Sequence, residues 1–341
     1  MDKPLRIVFM GTPRFALGIL QELVARHYRV VGVVSAPPKP SGRGLKLLHS
    51  EVAAYALEQK IPWAQPLLLK DPLFIDQLKA WNADLFVVVA FRMLPQEVWQ
   101  LPRIGTFNLH ASLLPQYRGA APINWALIHG EQVTGVTTFL IDHQIDTGKI
   151  LFQEPLAIMP DDTAGTLHDR LMSAGMQLVC RTIDAFSLGE VAPQPQPQID
   201  PLFSAPKLNK AMCRISWTQT STQICNLIRG LSPYPAAIGT MTGGKKAEGG
   251  RQKAEGGGQN AEQDAKRTER WLNVKVFEAI PIVAEHNLPA GAIVSDQKSY
   301  LYVACKDGYV SLTHLQAEGK KRMEVKDFLL GFRNITQVRF G

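Results

Sequence analysis

The chain has 341 residues, 45% of them hydrophobic and 20% charged, which places it among globular proteins of about two domains and excludes a fibrous or wholly disordered polymer. No apolar run approaches the ~20 residues that span a bilayer, and the densest stretch, 85–91, has the length of a strand. The net charge of +7 is unevenly held: residues 1–204 carry 17 Lys+Arg against 18 Asp+Glu, so the remaining 20 and 12 leave 205–341 at +8. A neutral part followed by a basic one is the pattern of a polyanion-binding module appended to a domain with another task.

Residues 1–10 hold one early Lys, a Pro and a short apolar run without a small-residue cleavage site, so they read as a first strand and not as a signal peptide. Apolar residues at helical spacing (Phe15, Ile19, Leu20, Leu23) predict a helix over 15–26, followed by a strand over 30–35. Helices are expected over 51–59 and 72–80, strands over 85–90 and 106–109, a helix over 122–129, a β-rich run over 134–141 and a helix over 166–186. Continuous apolar strands alternating with helices predict an α/β domain over 1–190, with a Rossmann-like, mostly parallel sheet covered on both faces. Ligands of such sheets sit beyond the carboxyl ends of the strands. The Gly11-Thr-Pro turn occupies the place of a GxGxxG fingerprint but keeps one glycine of three, which disfavours NAD(P) or FAD.

Residues 191–208, rich in Pro and Gln, read as a semi-rigid linker. Beyond it, a helix over 221–230 and short strands at 236–241, 272–280, 292–295, 300–304 and 309–315 predict a small OB-like β-barrel over 209–341. Residues 242–270 repeat KKAEGG as QKAEGGG and read as a disordered insertion. Their seven basic and five acidic residues supply only +2 of the +8, so the basic character of the barrel does not depend on them. The four cysteines, at 180, 213, 225 and 305, lie far apart without a CxxC; neither a disulfide framework nor a zinc site is suggested, and a reduced cytosolic protein is expected.

The chemistry concentrates in TFNLHASLLPQYRG, residues 106–119. Asn108 and His110 lie two apart on a predicted strand, so both side chains point to one face at the ligand edge of the sheet. A carboxamide beside an imidazole suits addition to a carbonyl: one group stabilises a developing oxyanion, the other moves a proton. Asp142 and Asp146, in IDHQIDTG, are the nearest carboxylates that could orient the imidazole. No Ser or Cys occupies a nucleophile elbow, which favours direct attack by the substrate over a covalent enzyme intermediate.

The run from His110 to Pro122, preceded by Asn108 and followed by Asp146-Thr-Gly, resembles the 10-formyltetrahydrofolate-dependent formyltransferases. MGTPRFA near the start, Pro40-Ser-Gly-Arg-Gly-Leu-Lys, LSPYPA from Leu231 and AEGKKR from Ala317 extend the similarity over nearly everything except the linker and 242–270. The resemblance implies that Asn108, His110 and Asp146 form the formyl-transfer triad. It also implies that Ser112, Leu113, Leu114 and Pro115 pack against the folate, and that Arg43 meets the acceptor end of a tRNA. Two departures fall near the implied folate pocket: Phe91-Arg92 stands where many members have Tyr-Gly, and His143-Gln-Ile where Val-Gly-Leu is common.

The implied reaction moves the formyl group of 10-formyltetrahydrofolate to the amino group of methionine on initiator tRNA, without metal or nicotinamide, in a bacterial-type cytoplasmic monomer that needs no membrane. The rivals are a formyltransferase for an amino sugar and a non-catalytic RNA-binding protein on a nucleotide-binding scaffold. The Arg43 loop and the basic barrel favour tRNA over a sugar, and an intact Asn108, His110 and Asp146 set disfavours the second rival.

Overall fold

The computed structural model describes residues 4–41, 46–243, 272–332 and 335–341. The insertion expected over 242–270 lies almost wholly outside them, as does Arg43. The chain divides into two compact units: Met1–Ile123, Gln132–Pro160 and Thr166–Lys207 form the first, and Asn124–Glu131, Asp161–Gly165 and Leu208–Gly341 the second. The first unit thus reaches Lys207, past the boundary at 190 that composition suggests.

In chain order the first part of the chain comprises β1 (Ile7–Gly11), α1 (Arg14–Ala25), β2 (Val30–Val34), β3 (Lys39–Ser41), β4 (Lys46–Leu48), α2 (Glu51–Glu58) and β5 (Trp63–Ala64). Then come α3 (Pro72–Ala80), β6 (Leu85–Val89), α4 (Gln96–Trp99), β7 (Gly105–His110), β8 (Arg118–Gly119) and α5 (Pro122–His129). The series closes with β9 (Val133–Leu140), β10 (Ile150–Ala157), α6 (Ala164–Leu188) and β11 (Ser204–Ala205). Seven strands form one sheet in the order β10-β9-β7-β6-β1-β2-β5. The five strands from β7 to β5 in that order run parallel, β9 pairs antiparallel with β7 at one edge, and β10 pairs antiparallel with β9. The sheet is therefore mixed, Rossmann-like in its parallel part.

The strands β1 (IVFMG) and β6 (LFVVV) are buried at every position because helices cover both faces. On one face Val8, Met10, Phe86 and Val88 pack with Phe74 and Leu78 of α3. On the other, a Cβ on Gly175 of α6 would meet Leu109 and Ile19, and Phe107 stacks on Phe186 at 6.1 Å. Helix starts follow local chemistry: Ser50 and Asp71 each accept a backbone N–H of the first turn, at 3.1 and 3.0 Å. Gly11 closes the β1 turn because a Cβ there would stand 2.5 Å from the Ala16 Cβ and 3.0 Å from the Val89 carbonyl.

The second unit is a barrel-like antiparallel sheet. After α7 (Ser221–Leu231), whose N-cap Thr220 forms a capping box with Gln223, come β12 (Ala237–Thr242), β13 (Leu272–Val283), β14 (Ile293–Ser295), β15 (Leu301–Cys305), β16 (Gly308–Ala317), β17 (Met323–Glu324) and β18 (Arg339–Phe340). The strand order is β14-β15-β16-β13-β12-β18, with β17 beside β16. The Phe340 N–H donates to the Gly291 carbonyl at 2.9 Å and Ala292 bridges Arg339, which brings the two ends of the sheet together and nearly closes it. Its interior gathers Val274, Val276, Val303, Leu315 and Phe340 under Ile224 and Ile228 of α7. All four cysteines are buried free thiols, and burial pushes the Cys225 thiol up to about 12.

Candidate active site

The alternation of β7 sets the site. Phe107 and Leu109 face α6, so Thr106, Asn108 and His110 face the opposite side, where the Thr106 hydroxyl donates to the Trp99 carbonyl at 2.7 Å. Asn108 pairs in register with Val88 of β6, and His110 ends the strand, one residue beyond the last pair, Leu109 with Val89. Both stand at the carboxyl edge of the parallel strands.

The His110 ring is buried and fixed by its loop: Nε2 donates to the Tyr117 carbonyl at 2.8 Å. Tyr117 sits at φ 60, a left-handed conformation that costs a non-glycine residue energy and here turns its carbonyl toward the imidazole. The other ring nitrogen, Nδ1, faces Asp146 Oδ2 at 3.7 Å. Asp146 belongs to the loop between β9 and β10 and is itself at φ 55. Its Oδ2 accepts the Gly119 N–H at 2.9 Å. Among the described residues no hydrogen bond engages the Asn108 carboxamide, which is half-buried and open to a ligand.

Asp142, the other carboxylate of that loop, turns inward. Its Oδ1 accepts the Gln144 N–H at 3.0 Å and the Thr147 hydroxyl at 2.8 Å, so it shapes the loop that carries Asp146. His143 packs edge-on against Trp99, with ring centroids 5.3 Å apart. Of the residues expected to meet a folate, Ser112 is fully buried and its hydroxyl donates to the Gln116 carbonyl at 2.6 Å. Leu114 and Pro115 are buried as well, and Leu113 is half-buried. Thr137 and Gln153 brace the turn: Thr137 donates to the Ser112 carbonyl at 2.6 Å, and Gln153 donates to the Leu114 carbonyl at 2.9 Å. The Leu114 N–H also donates to Thr137 Oγ1 at 3.2 Å, and the Leu113 carbonyl accepts the Gln116 N–H. Most of the turn's main chain is thus engaged internally, and Leu113 is its one half-buried side chain. At the Phe91-Arg92 departure, the guanidinium donates to the carbonyls of Pro66 and Leu67, and burial lowers its pKa from the ordinary arginine value.

Three participants carry no signal in composition or spacing: the Tyr117 carbonyl, the Gly119 N–H and Gln196. The first two lie inside the QYRG run, where only the backbone acts. Gln196 lies in the stretch read as a linker, and its side-chain amide donates to the Asp146 carbonyl at 2.8 Å and the Gly148 carbonyl at 2.9 Å. Among the described residues no group of three or more His, Cys, Asp or Glu is placed to hold a metal ion.

Residues 5–183 match the formyl transferase family and 207–333 its C-terminal domain. The chain belongs to the formyl transferase family. It is 47% identical over 332 residues to the methionyl-tRNA formyltransferase of Bacteroides thetaiotaomicron, covering 96% of each chain. It is 48% identical over 342 residues to that of Parabacteroides distasonis, covering 99% of this chain and 98% of the relative. In fold it is similar to the N-formyltransferase from Helicobacter canadensis solved with folinic acid and dTDP-3-aminofucose, with a TM-score of 0.59 at 18% identity over 94% of this chain and all of the other. HypX from Aquifex aeolicus in complex with tetrahydrofolic acid superposes with a TM-score of 0.57 at 18% identity, over 96% of this chain and 47% of HypX.

Proposed function

We propose that Asn108, His110 and Asp146 carry out the reaction of this formyltransferase, the transfer of the formyl group of 10-formyltetrahydrofolate to methionyl-tRNA. The observation that carries the assignment is the convergence of the three groups: His110 Nδ1 and Asp146 Oδ2 face each other at 3.7 Å, beside a free carboxamide on the same strand face. The deprotonated methionyl amine attacks the formyl carbon, the carbonyl π electrons move onto oxygen, and the Asn108 amide and the protonated His110 Nδ1 stabilise that oxyanion. Asp146 holds the charge on the imidazole and assists removal of the amine proton. Collapse of the intermediate expels N10 of tetrahydrofolate, which takes up a proton. Nε2 remains on the Tyr117 carbonyl throughout and fixes the ring.

The acceptor is the initiator form of the tRNA, and the barrel with the net charge of its part of the chain, +8, holds the phosphate backbone while the first unit handles the amino acid. On this reading 1–190 is the catalytic domain, 209–341 the tRNA-binding domain, and Arg43 meets the acceptor end. The protein acts as a cytoplasmic monomer; among the described residues no helix is long and apolar enough to cross a membrane. The test is an assay of the purified chain with 10-formyltetrahydrofolate and three acceptors: methionyl-tRNA, free methionine and a dTDP-linked amino sugar. Formylation confined to methionyl-tRNA is expected. Equal turnover of free methionine, or preference for the amino sugar, would move the assignment to a small-molecule formyltransferase.

A further inference from the structure

The Pro/Gln-rich stretch after α6 does not leave the first unit. Gln194 exchanges two backbone hydrogen bonds with Ile150, at 2.7 and 2.8 Å. Ser204–Ala205 pair with Arg118–Gly119, and the Tyr117 N–H donates to the Phe203 carbonyl at 2.7 Å. The segment runs as a strap along the two loops that bear His110's partner carbonyl and Asp146. Gln196 sits between its fixed ends.

Every polar group of the Gln196 carboxamide is used. Its two N–H donors go to the carbonyls of Asp146 and Gly148, at 2.8 and 2.9 Å, and its oxygen accepts Nη2 and Nε of Arg118 at 2.6 and 3.2 Å. The amide orientation is therefore determined: a flipped amide would set its oxygen against two carbonyls and its NH2 against a guanidinium. Arg118 directs the amide, and the amide grips the loop on both sides of Thr147. Asp146 is left-handed at this point, a conformation that persists only where its surroundings enforce it. Gln196 enforces it through the main chain, and the Gly119 N–H aims the carboxylate.

We infer that Gln196 is a positioning residue for formyl transfer: by gripping the Asp146 and Gly148 carbonyls it keeps the Asp146 carboxylate opposite His110 Nδ1. This rests on the role of Asp146 proposed above. A residue that merely tied down the strap would need only its bond to Arg118. A positioning residue needs its two donors.

The experiment measures single-turnover formyl transfer, binding of tRNA and folate, and thermal unfolding for Gln196→Ala, Gln196→Glu, Asp146→Ala and the Asp146→Ala/Gln196→Ala double variant. Gln196→Ala should slow transfer ~10–100-fold, the scale of a small misplacement of a reacting group, while both dissociation constants change by less than about twofold. Gln196→Glu keeps the acceptor for Arg118 but sets an oxygen against two carbonyls, so it should be at least as slow. In the Asp146→Ala background, Gln196→Ala should remove less than about twofold more, because the two residues act as one unit. A wild-type rate in Gln196→Glu, or the full Gln196→Ala loss persisting without Asp146, overturns the inference. Should Gln196→Ala fail to fold, Gln196→Glu decides it: slow transfer with both dissociation constants unchanged supports the inference, and a wild-type rate overturns it. Asp146→Ala at wild-type rate would refute the assignment of Asp146 itself, whereas a slow Asp146→Ala beside a fast Gln196→Ala refutes only the positioning role.

Discussion

Asp146 Oδ2 stands 3.7 Å from His110 Nδ1, too long for a direct hydrogen bond and short enough for one polar atom lying beside the pair to hydrogen-bond to both. The opposite ring nitrogen is held by the Tyr117 carbonyl, so Nδ1 is the ring nitrogen left to face Asp146 and, in the proposed mechanism, the substrate. Ring orientation is thus set by one backbone carbonyl, and carboxylate orientation by one backbone N–H.

Replacing His110 or Asn108 by Ala should lower the single-turnover rate at least about 100-fold, the scale of losing a positioned acid–base group or an oxyanion donor. Circular dichroism should remain native in Asn108→Ala, whose side chain supports no described hydrogen bond. Either variant turning over at the wild-type rate would remove that residue from the mechanism.

Gly119 should tolerate no side chain. Its φ is 125°, and a Cβ would stand 2.5 Å from the Ala205 carbonyl oxygen across the β8–β11 pairing. Gly119→Ala should cost about 1–3 kcal/mol by urea denaturation, and should lower kcat as well because its N–H aims Asp146. Unchanged stability with unchanged kcat would show that the strap yields without disturbing the site.

Phe340, the penultimate residue, is 1% exposed, packs on Trp217 at 5.1 Å and lies over Gly239. Phe340→Ala should destabilise the barrel by about 3–5 kcal/mol, as for other large aromatic truncations in a core. Thermal unfolding and limited proteolysis of the barrel check it; an unaltered unfolding profile would mean that β18 contributes nothing to closure.

Asp84 carries a pH-dependent part of the stability. The Arg6 N–H bonds its Oδ2 at 2.9 Å and the Arg103 guanidinium its Oδ1, which together lower its pKa from the ordinary aspartate value. A carboxylate depressed on folding stabilises above its unfolded value, about 3.9, and loses that contribution as pH falls through the folded one. Asp84→Asn should therefore be less stable than wild type at neutral pH, with the difference closing below about pH 4. A constant difference across that window would rule out this linkage.

Affinity for tRNA should fall about tenfold or more between low and physiological salt, since neutralised phosphates release counterions, while folate affinity changes much less. Arg43→Ala should slow transfer more than it weakens tRNA binding, because its place is at the acceptor end. A flat salt response would leave the basic barrel without its polyanion.

Much of the first unit is legible because buried parallel strands advertise themselves. LFVVV at Leu85–Val89 has no polar residue to hide, and the helices over Pro72–Ala80 and Pro122–His129 have the bounds that their spacing predicts. The edge strand Ile150–Ala157 does not advertise itself: its Gln-Glu-Pro centre faces solvent on one side, where a proline is tolerated. The shared face of Asn108 and His110 follows from a two-residue spacing, but the approach of Asp146 does not, since 35 residues, including α5 and β9, lie between His110 and Asp146. Gln196 was hidden for another reason. Its segment has the composition of a linker, and long-range hydrogen bonds to Arg118, Asp146 and Gly148, not local propensity, hold it in place.

In the barrel, Met241 and Leu272 face each other as cross-strand partners in the β12–β13 ladder. Two chain positions paired through a ladder are held side by side by the ladder's own hydrogen bonds, which is a condition for splicing a foreign module between them. A fluorescent or affinity module spliced there would leave every rung of the ladder from Ala237 to Met241 in place. The protein thus carries, between β12 and β13, a natural port for engineering.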